Sequence, residues 1–126
     1  MKVIVFGATG MLGQGVLREA LASPDVETVL VIGRTPTRHQ HEKLRELVHR
    51  DFLDFRSVQA QLAGYDACFF CLGVSSAGMS ETDYRRVTFG YTLAAARALV
   101  RQNPDMVFVY TSAAGADSTA RGRVMW

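Results

Sequence analysis

The run Val3-Ile4-Val5-Phe6, followed at once by Gly7-Ala8-Thr9-Gly10-Met11-Leu12-Gly13, constrains this chain more than any other segment. Four apolar residues read as a buried strand and a helical pattern begins near the last glycine, so the glycines occupy a strand-to-helix turn. Backbone without a Cβ turns tightly and lets phosphate oxygens approach, which is the use expected of Gly7 and Gly10. Gly13 is expected to let the following helix sit close to the sheet. That helix would offer unsatisfied N–H groups and the positive end of its dipole to a pyrophosphate. Three glycines alone mark only a tight turn; the strand before them and the helix after them supply the context of a dinucleotide site.

Composition sets the outer bounds. At 126 residues, 48% hydrophobic and 21% charged, the chain reads as one soluble domain spanning residues 1–126, small for a complete two-half dinucleotide fold. A net charge of +2 argues neither for nucleic acid nor for an anionic membrane surface. No apolar stretch approaches the ~20 residues of a membrane span. The N-terminal apolar run is short and breaks at Gly7 without a cleavage-site pattern, so a cytoplasmic location is the default expectation. Cys68 and Cys71 form a C-x-x-C, but inside an apparent buried strand, where residues three apart face opposite sides. They read as structural thiols rather than a redox pair.

Four segments read as buried parallel strands: Lys2–Phe6, Thr28–Ile32, Ala67–Leu72 and Met106–Thr111. A more polar candidate, Glu46–Arg50, suits a sheet edge, with Leu47 and His49 on one face. Met11–Ala22 reads as a helix with Leu12, Val16, Leu17, Ala20 and Leu21 on one stripe, and Pro24 closes it. Arg56–Leu62 reads as a short helix ended by Gly64. The longest helix is expected over Glu81–Gln102, opened by a Ser80/Asp83 capping box and ended by Asn103-Pro104. Strand–helix–strand repetition with right-handed crossovers gives an α/β, doubly wound parallel sheet of the Rossmann kind, with strand order 3-2-1-4-5.

In such a sheet ligands bind beyond the carboxyl ends of the strands, where the strand order reverses. The second strand ends in Ile32-Gly33-Arg34, about twenty residues after Gly13, where an NAD site places a ribose-binding acid. Arg34 instead offers a planar donor fork suited to a 2′-phosphate, with Arg38 close behind it, and this favours NADP over NAD. The plainer reading is a solvated arginine. Asp51 could accept from the adenine amino group while the backbone of Phe52 faces the ring edge. Gly73, in the turn Leu72-Gly73-Val74-Ser75-Ser76, would let the chain pass close to the ribose and pyrophosphate. The fifth strand ends in Tyr110-Thr111-Ser112-Ala113-Ala114-Gly115, bringing hydroxyls toward a nicotinamide ring.

GATGMLG, VIGR, the Asp51 turn, CLGVSS and YTSAAGAD together resemble the short-chain dehydrogenase/reductase superfamily. The likeness is closest to its extended and atypical members, the NAD-dependent epimerase/dehydratase-like proteins. The resemblance implies that Gly7, Thr9, Gly10, Met11, Leu12 and Gly13 hold the pyrophosphate and Arg34 the 2′-phosphate. It assigns Asp51 and Phe52 to the adenine, and Leu72, Gly73 and Val74 to the adenosine-side ribose and linker. It further implies a catalytic serine, matched by Ser112, and a Tyr-x-x-x-Lys pair. That pair is absent: Tyr65, Tyr84, Tyr91 and Tyr110 are followed four residues on by Phe69, Thr88, Ala95 and Ala114, and the lysines are Lys2 and Lys43. Thr88 stands where many members carry an asparagine. The plainer alternative is that Ser112 satisfies backbone at the strand end.

The expectation is therefore an NADP(H)-binding domain, with NAD possible. It would belong to an oxidoreductase that transfers hydride to or from a small carbonyl or sugar-like substrate, in a chain truncated after the fifth strand. A surface left bare by truncation would be covered by homodimerisation through the exposed sheet edge. The rival reading is a non-catalytic nucleotide sensor or partner-binding protein, and a third is a flavin reductase. His39, His41 and His49 lack a third acidic or thiolate ligand nearby, so no metal site is expected.

Overall fold

The computed structural model describes residues 1–37, 39–71 and 81–110, with the side chains of 81–88 left aside. Its elements are β1 (Lys2–Phe6), α1 (Met11–Ala22), β2 (Thr28–Gly33), β3 (Leu44–Val48), a 3₁₀ helix (Arg56–Leu62), β4 (Ala67–Phe70), α2 (Glu81–Gln102) and β5 (Val107–Tyr110). All strand pairings are parallel, in the order β3-β2-β1-β4-β5. This is the doubly wound order that the sequence pattern predicts.

Apart from the edge strand β3, the strands are mostly apolar because both faces of the sheet are covered. Alternate residues go to opposite layers. Ile4, Phe6, Leu30, Ile32, Cys68, Phe70 and Phe108 meet Phe52, Phe55, Leu62 and the α2 residues Ala95, Ala96 and Leu99. Val3, Val5, Val29, Val31 and Ala67 meet Leu17 and Ala20 of α1. The alanine-rich half of α2 brings that helix close to the sheet, since small side chains allow a short interlayer distance. Cys68 and Cys71 are buried and form no disulfide, and burial pushes the Cys68 thiol well above its ordinary range. Both observations suit structural thiols.

Two local expectations are corrected. The edge strand begins two residues earlier than the polarity pattern suggests, because Leu44 pairs opposite Val29 and packs on the α1 layer while Leu47 packs on the α2 layer. His49 consequently lies just past β3, its backbone N–H still donating to the Gly33 carbonyl at 2.9 Å. The short helix over Arg56–Leu62 has the expected bounds and is of the 3₁₀ type. In α1 the buried line is Gly13, Leu17 and Ala20, whereas Leu12 is 46% exposed at the helix start. The capping box at Ser80 and Asp83 lies outside the described side chains.

One buried polar side chain ties the α2 layer together. Asn103 follows α2, and its amide oxygen accepts from the backbone N–H groups of Gly64 (2.8 Å) and Tyr65 (2.9 Å). Its amide nitrogen donates to the carbonyls of Leu62 (2.7 Å) and Leu99 (3.1 Å). A single side chain thus satisfies the turn after the 3₁₀ helix and the end of α2 at once.

Candidate functional site

The β1–α1 turn is shaped by two glycines in different ways. Gly7 has φ +79°, a conformation that side-chain-bearing residues rarely adopt, and its carbonyl accepts from the Gly10 N–H at 3.2 Å. At Gly13 a Cβ would collide with that same Gly7 carbonyl oxygen and lie 2.9 Å from the Ala8 Cα. The close approach this glycine permits is therefore of helix to loop. Gly10 differs: among the described residues a Cβ there meets only the Gly7 oxygen, at an ordinary 3.6 Å. The fold leaves its Cα side open, as a phosphate cradle needs.

Gly10 is also the N-cap of α1. It makes no side-chain capping bond, and the first turn contains no acidic residue. The first-turn N–H groups have no intrahelical acceptor, and their partial positive charge suits an external anion. Gln14 steadies the turn from within the helix, its Nε2 donating to the Thr9 carbonyl at 2.9 Å. Thr9 is exposed, as are Met11 (93%) and Leu12 (46%), so the residues beside the cradle face outward rather than into the core. These features fit the diphosphate of a dinucleotide.

Ile32 lies opposite Phe6 across the β1–β2 pairing, so Arg34 leaves the sheet one strand over from the glycine turn. The arginine is not loosely solvated. Its guanidinium carbon lies 5.1 Å from the centroid of Phe52 and 5.8 Å from that of Tyr91, and its Nη2 donates to the Tyr91 hydroxyl at 3.2 Å. Asp51 is exposed and occupies a turn after β3, its Oδ1 accepting from the Leu53 N–H at 3.0 Å. Phe52 is 2% exposed, and its ring packs against Phe6, Phe55 and Tyr91.

Beside the Asp51 turn, the His49 ring lies 5.0 Å from that of Phe55, with its Nε2 2.7 Å from the Asp54 carbonyl. Arg56 grips the Asp54 carboxylate with two side-chain nitrogens and holds its pKa down to about 2. Leu72, Gly73, Val74 and Ser112 lie outside the described residues, as does Arg38. The structure thus gathers the glycine turn, Arg34, Asp51 and Phe52 at the carboxyl edge of β1, β2 and β3.

Tyr91, which in sequence only fails the Tyr-x-x-x-Lys spacing, and Asn103, which in sequence is only a helix stop, both take on contacts that the pattern does not announce. Neither carries a local signal of its role, because the partners lie 57 and about 40 residues away. A groove of about 1070 Å³ shares Gly10–Leu12 with the glycine turn and runs down the α1 face to Met1, Val3 and Val26. It therefore extends from the strand-end site along the sheet face toward the amino ends of the strands. Among the described residues no cluster of His, Cys, Asp and Glu gathers to hold a metal, and no helix is long and apolar enough to cross a membrane.

Comparison with known proteins bears on this geometry. Residues 7–126 match the family model described as NAD(P)H-binding. Protein FMP52, mitochondrial, of Candida albicans is 25% identical over 125 residues, which cover 95% of this chain and 54% of that protein. Its name gives the cytoplasmic expectation no support. Uronate dehydrogenase from Agrobacterium tumefaciens, solved as a mutant complexed with NAD, is similar with a TM-score of 0.65 at 23% identity, covering 87% of this chain and 40% of that one. DesIV, a dTDP-glucose 4,6-dehydratase from Streptomyces venezuelae with NAD bound, gives 0.64 at 23% identity, covering 81% and 36%. The chain therefore spans about half the length of the curated relative and less than half of either enzyme, and the likeness to the enzymes is one of fold. With this sheet order and glycine turn, the chain belongs to the NAD(P)H-binding family, has the Rossmann fold of the epimerase/dehydratase-like short-chain dehydrogenases/reductases, and takes a nicotinamide dinucleotide as its cofactor.

Proposed function

We propose that this chain is the NADP(H)-binding part of an atypical short-chain dehydrogenase/reductase or epimerase-like oxidoreductase. Its substrate class is a small carbonyl or sugar-like compound. The observation that carries the cofactor preference is Arg34: a guanidinium stands at the end of β2, where a 2′-hydroxyl would call for a carboxylate. In this reading Gly7, Thr9, Gly10, Met11, Leu12 and Gly13 hold the pyrophosphate. The Asp51 carboxylate and the Phe52 backbone meet the adenine. The resemblance extends the ribose and linker contacts to Leu72, Gly73 and Val74, and assigns Ser112 to orienting the substrate carbonyl. The bound cofactor supplies or accepts hydride.

Titration of the intact protein with NADPH and NADH tests the preference. NADPH is expected to bind about ten- to a hundredfold more tightly, the range for charge-assisted hydrogen bonds to one phosphate, and Arg34→Ala is expected to erase the difference. Equal affinities for the two cofactors in the unaltered protein would overturn the NADP assignment.

A further inference from the structure

Arg34 is an exposed side chain whose many rotamers would ordinarily have to be frozen out when it grips a phosphate. Here it is already held. Phe52, immobilised by Phe6 and Phe55, lies under the guanidinium at 5.1 Å. Tyr91 of α2 stands edge-on to Phe52 with ring centroids 5.8 Å apart, and its hydroxyl accepts from Arg34 Nη2 at 3.2 Å. One of the five guanidinium donors is engaged in this way, and the side chain remains exposed.

We propose that Tyr91, seated on Phe52, is a positioning residue that sets the Arg34 guanidinium for the 2′-phosphate and so carries part of the preference for the phosphorylated cofactor. The proposal rests on the NADP reading above and extends it to a residue 57 positions further along the chain. A fixed fork loses less freedom on binding than a free one, and the two aromatic rings offer it a cation–π seat that a 2′-hydroxyl cannot exploit. Helix α2, otherwise a packing element, thereby takes part in choosing the cofactor.

The test uses adenosine 2′,5′-bisphosphate and adenosine 5′-monophosphate as probes, which differ by the 2′-phosphate alone. They are titrated into the intact protein, Tyr91→Phe, Arg34→Ala and the double variant. Tyr91→Phe keeps the ring and removes only the hydroxyl. It is expected to weaken the bisphosphate about three- to tenfold, the effect of one lost hydrogen bond, while the monophosphate changes by less than about twofold. In the Arg34→Ala background the same change is expected to do nothing further. Equal losses for both probes would mark Tyr91 as merely structural and overturn the proposal. So would an unchanged or increased bisphosphate affinity in Tyr91→Phe while Arg34→Ala abolishes the discrimination. If Arg34→Ala itself leaves the discrimination intact, the NADP reading falls and takes the proposal with it.

Discussion

The two ends of helix α1 are treated in opposite ways. At its C-terminus the Lys43 ammonium donates to the carbonyls of Leu21 (3.1 Å) and Ser23 (2.9 Å), a cation placed against the negative end of the dipole. At its N-terminus no side chain caps the helix and no acid sits in the first turn. The sheet repeats the contrast. Along its amino edge, the Lys2 N–H donates to Asp66 Oδ2 at 2.8 Å, the Asp66 N–H donates to the Lys2 carbonyl at 2.7 Å, and the Val107 N–H donates to the Asp66 carbonyl at 3.1 Å. Along the carboxyl edge stand the open glycine turn and the exposed Arg34 and Asp51. Backbone polar groups must find partners somewhere. One end finds them within the chain, and at the other the first turn of α1 has no side-chain cap among the described residues, which suits an anion.

Substitutions in the glycine turn should break this contrast most severely. Gly13→Val forces a side chain into the Gly7 carbonyl and is expected to cost about 3 kcal/mol or more in chemical denaturation. Gly10→Val meets no such obstruction. It should keep an unfolding midpoint close to that of the parent protein, yet abolish nucleotide binding. Should Gly10→Val destabilise the protein as much as Gly13→Val, the turn is an ordinary structural one and the cradle assignment fails.

The internally satisfied end predicts a change of stability without a change of cofactor. Asn103→Ala strands the N–H groups of Gly64 and Tyr65 and is expected to cost about 2–4 kcal/mol. Cofactor affinity measured well below the unfolding transition should stay within about twofold, because the site is distant. A parallel loss of affinity would show that the two ends are coupled. The smallest effect belongs to Lys43→Met, which keeps the apolar stem and removes the charge from the end of α1. Its expected cost is about 0.5–1 kcal/mol, diminishing in high salt. A cost that salt leaves untouched would mean that the stem, rather than the charge, does the stabilising.

Much of the fold was legible because its signals are short-range. The apolar runs of β1, β2, β4 and β5, the bounds of α2, and the crossover rule together yield the observed strand order. Legibility failed where a local pattern had two satisfactory outcomes. Polarity alone could place the edge strand at 44–48 or 46–50, and only the packing of Leu44 and Leu47 on opposite layers chose between them. Likewise a seven-residue helical pattern did not distinguish 3₁₀ from α.

By itself, then, the sequence determined the glycine turn, the class of cofactor expected there and the arginine at the end of β2, since these depend on residue type and spacing along one stretch of backbone. Tertiary structure decided how the glycines differ, Gly13 pressed against the Gly7 carbonyl and Gly10 unobstructed among the described residues. It also brought Tyr91 to Arg34 and Asn103 to Gly64 and Tyr65. The physical reason is reach: φ preferences and periodicity act over a few residues, whereas hydrogen bonds between side chains dozens of residues apart exist only once the layers have packed.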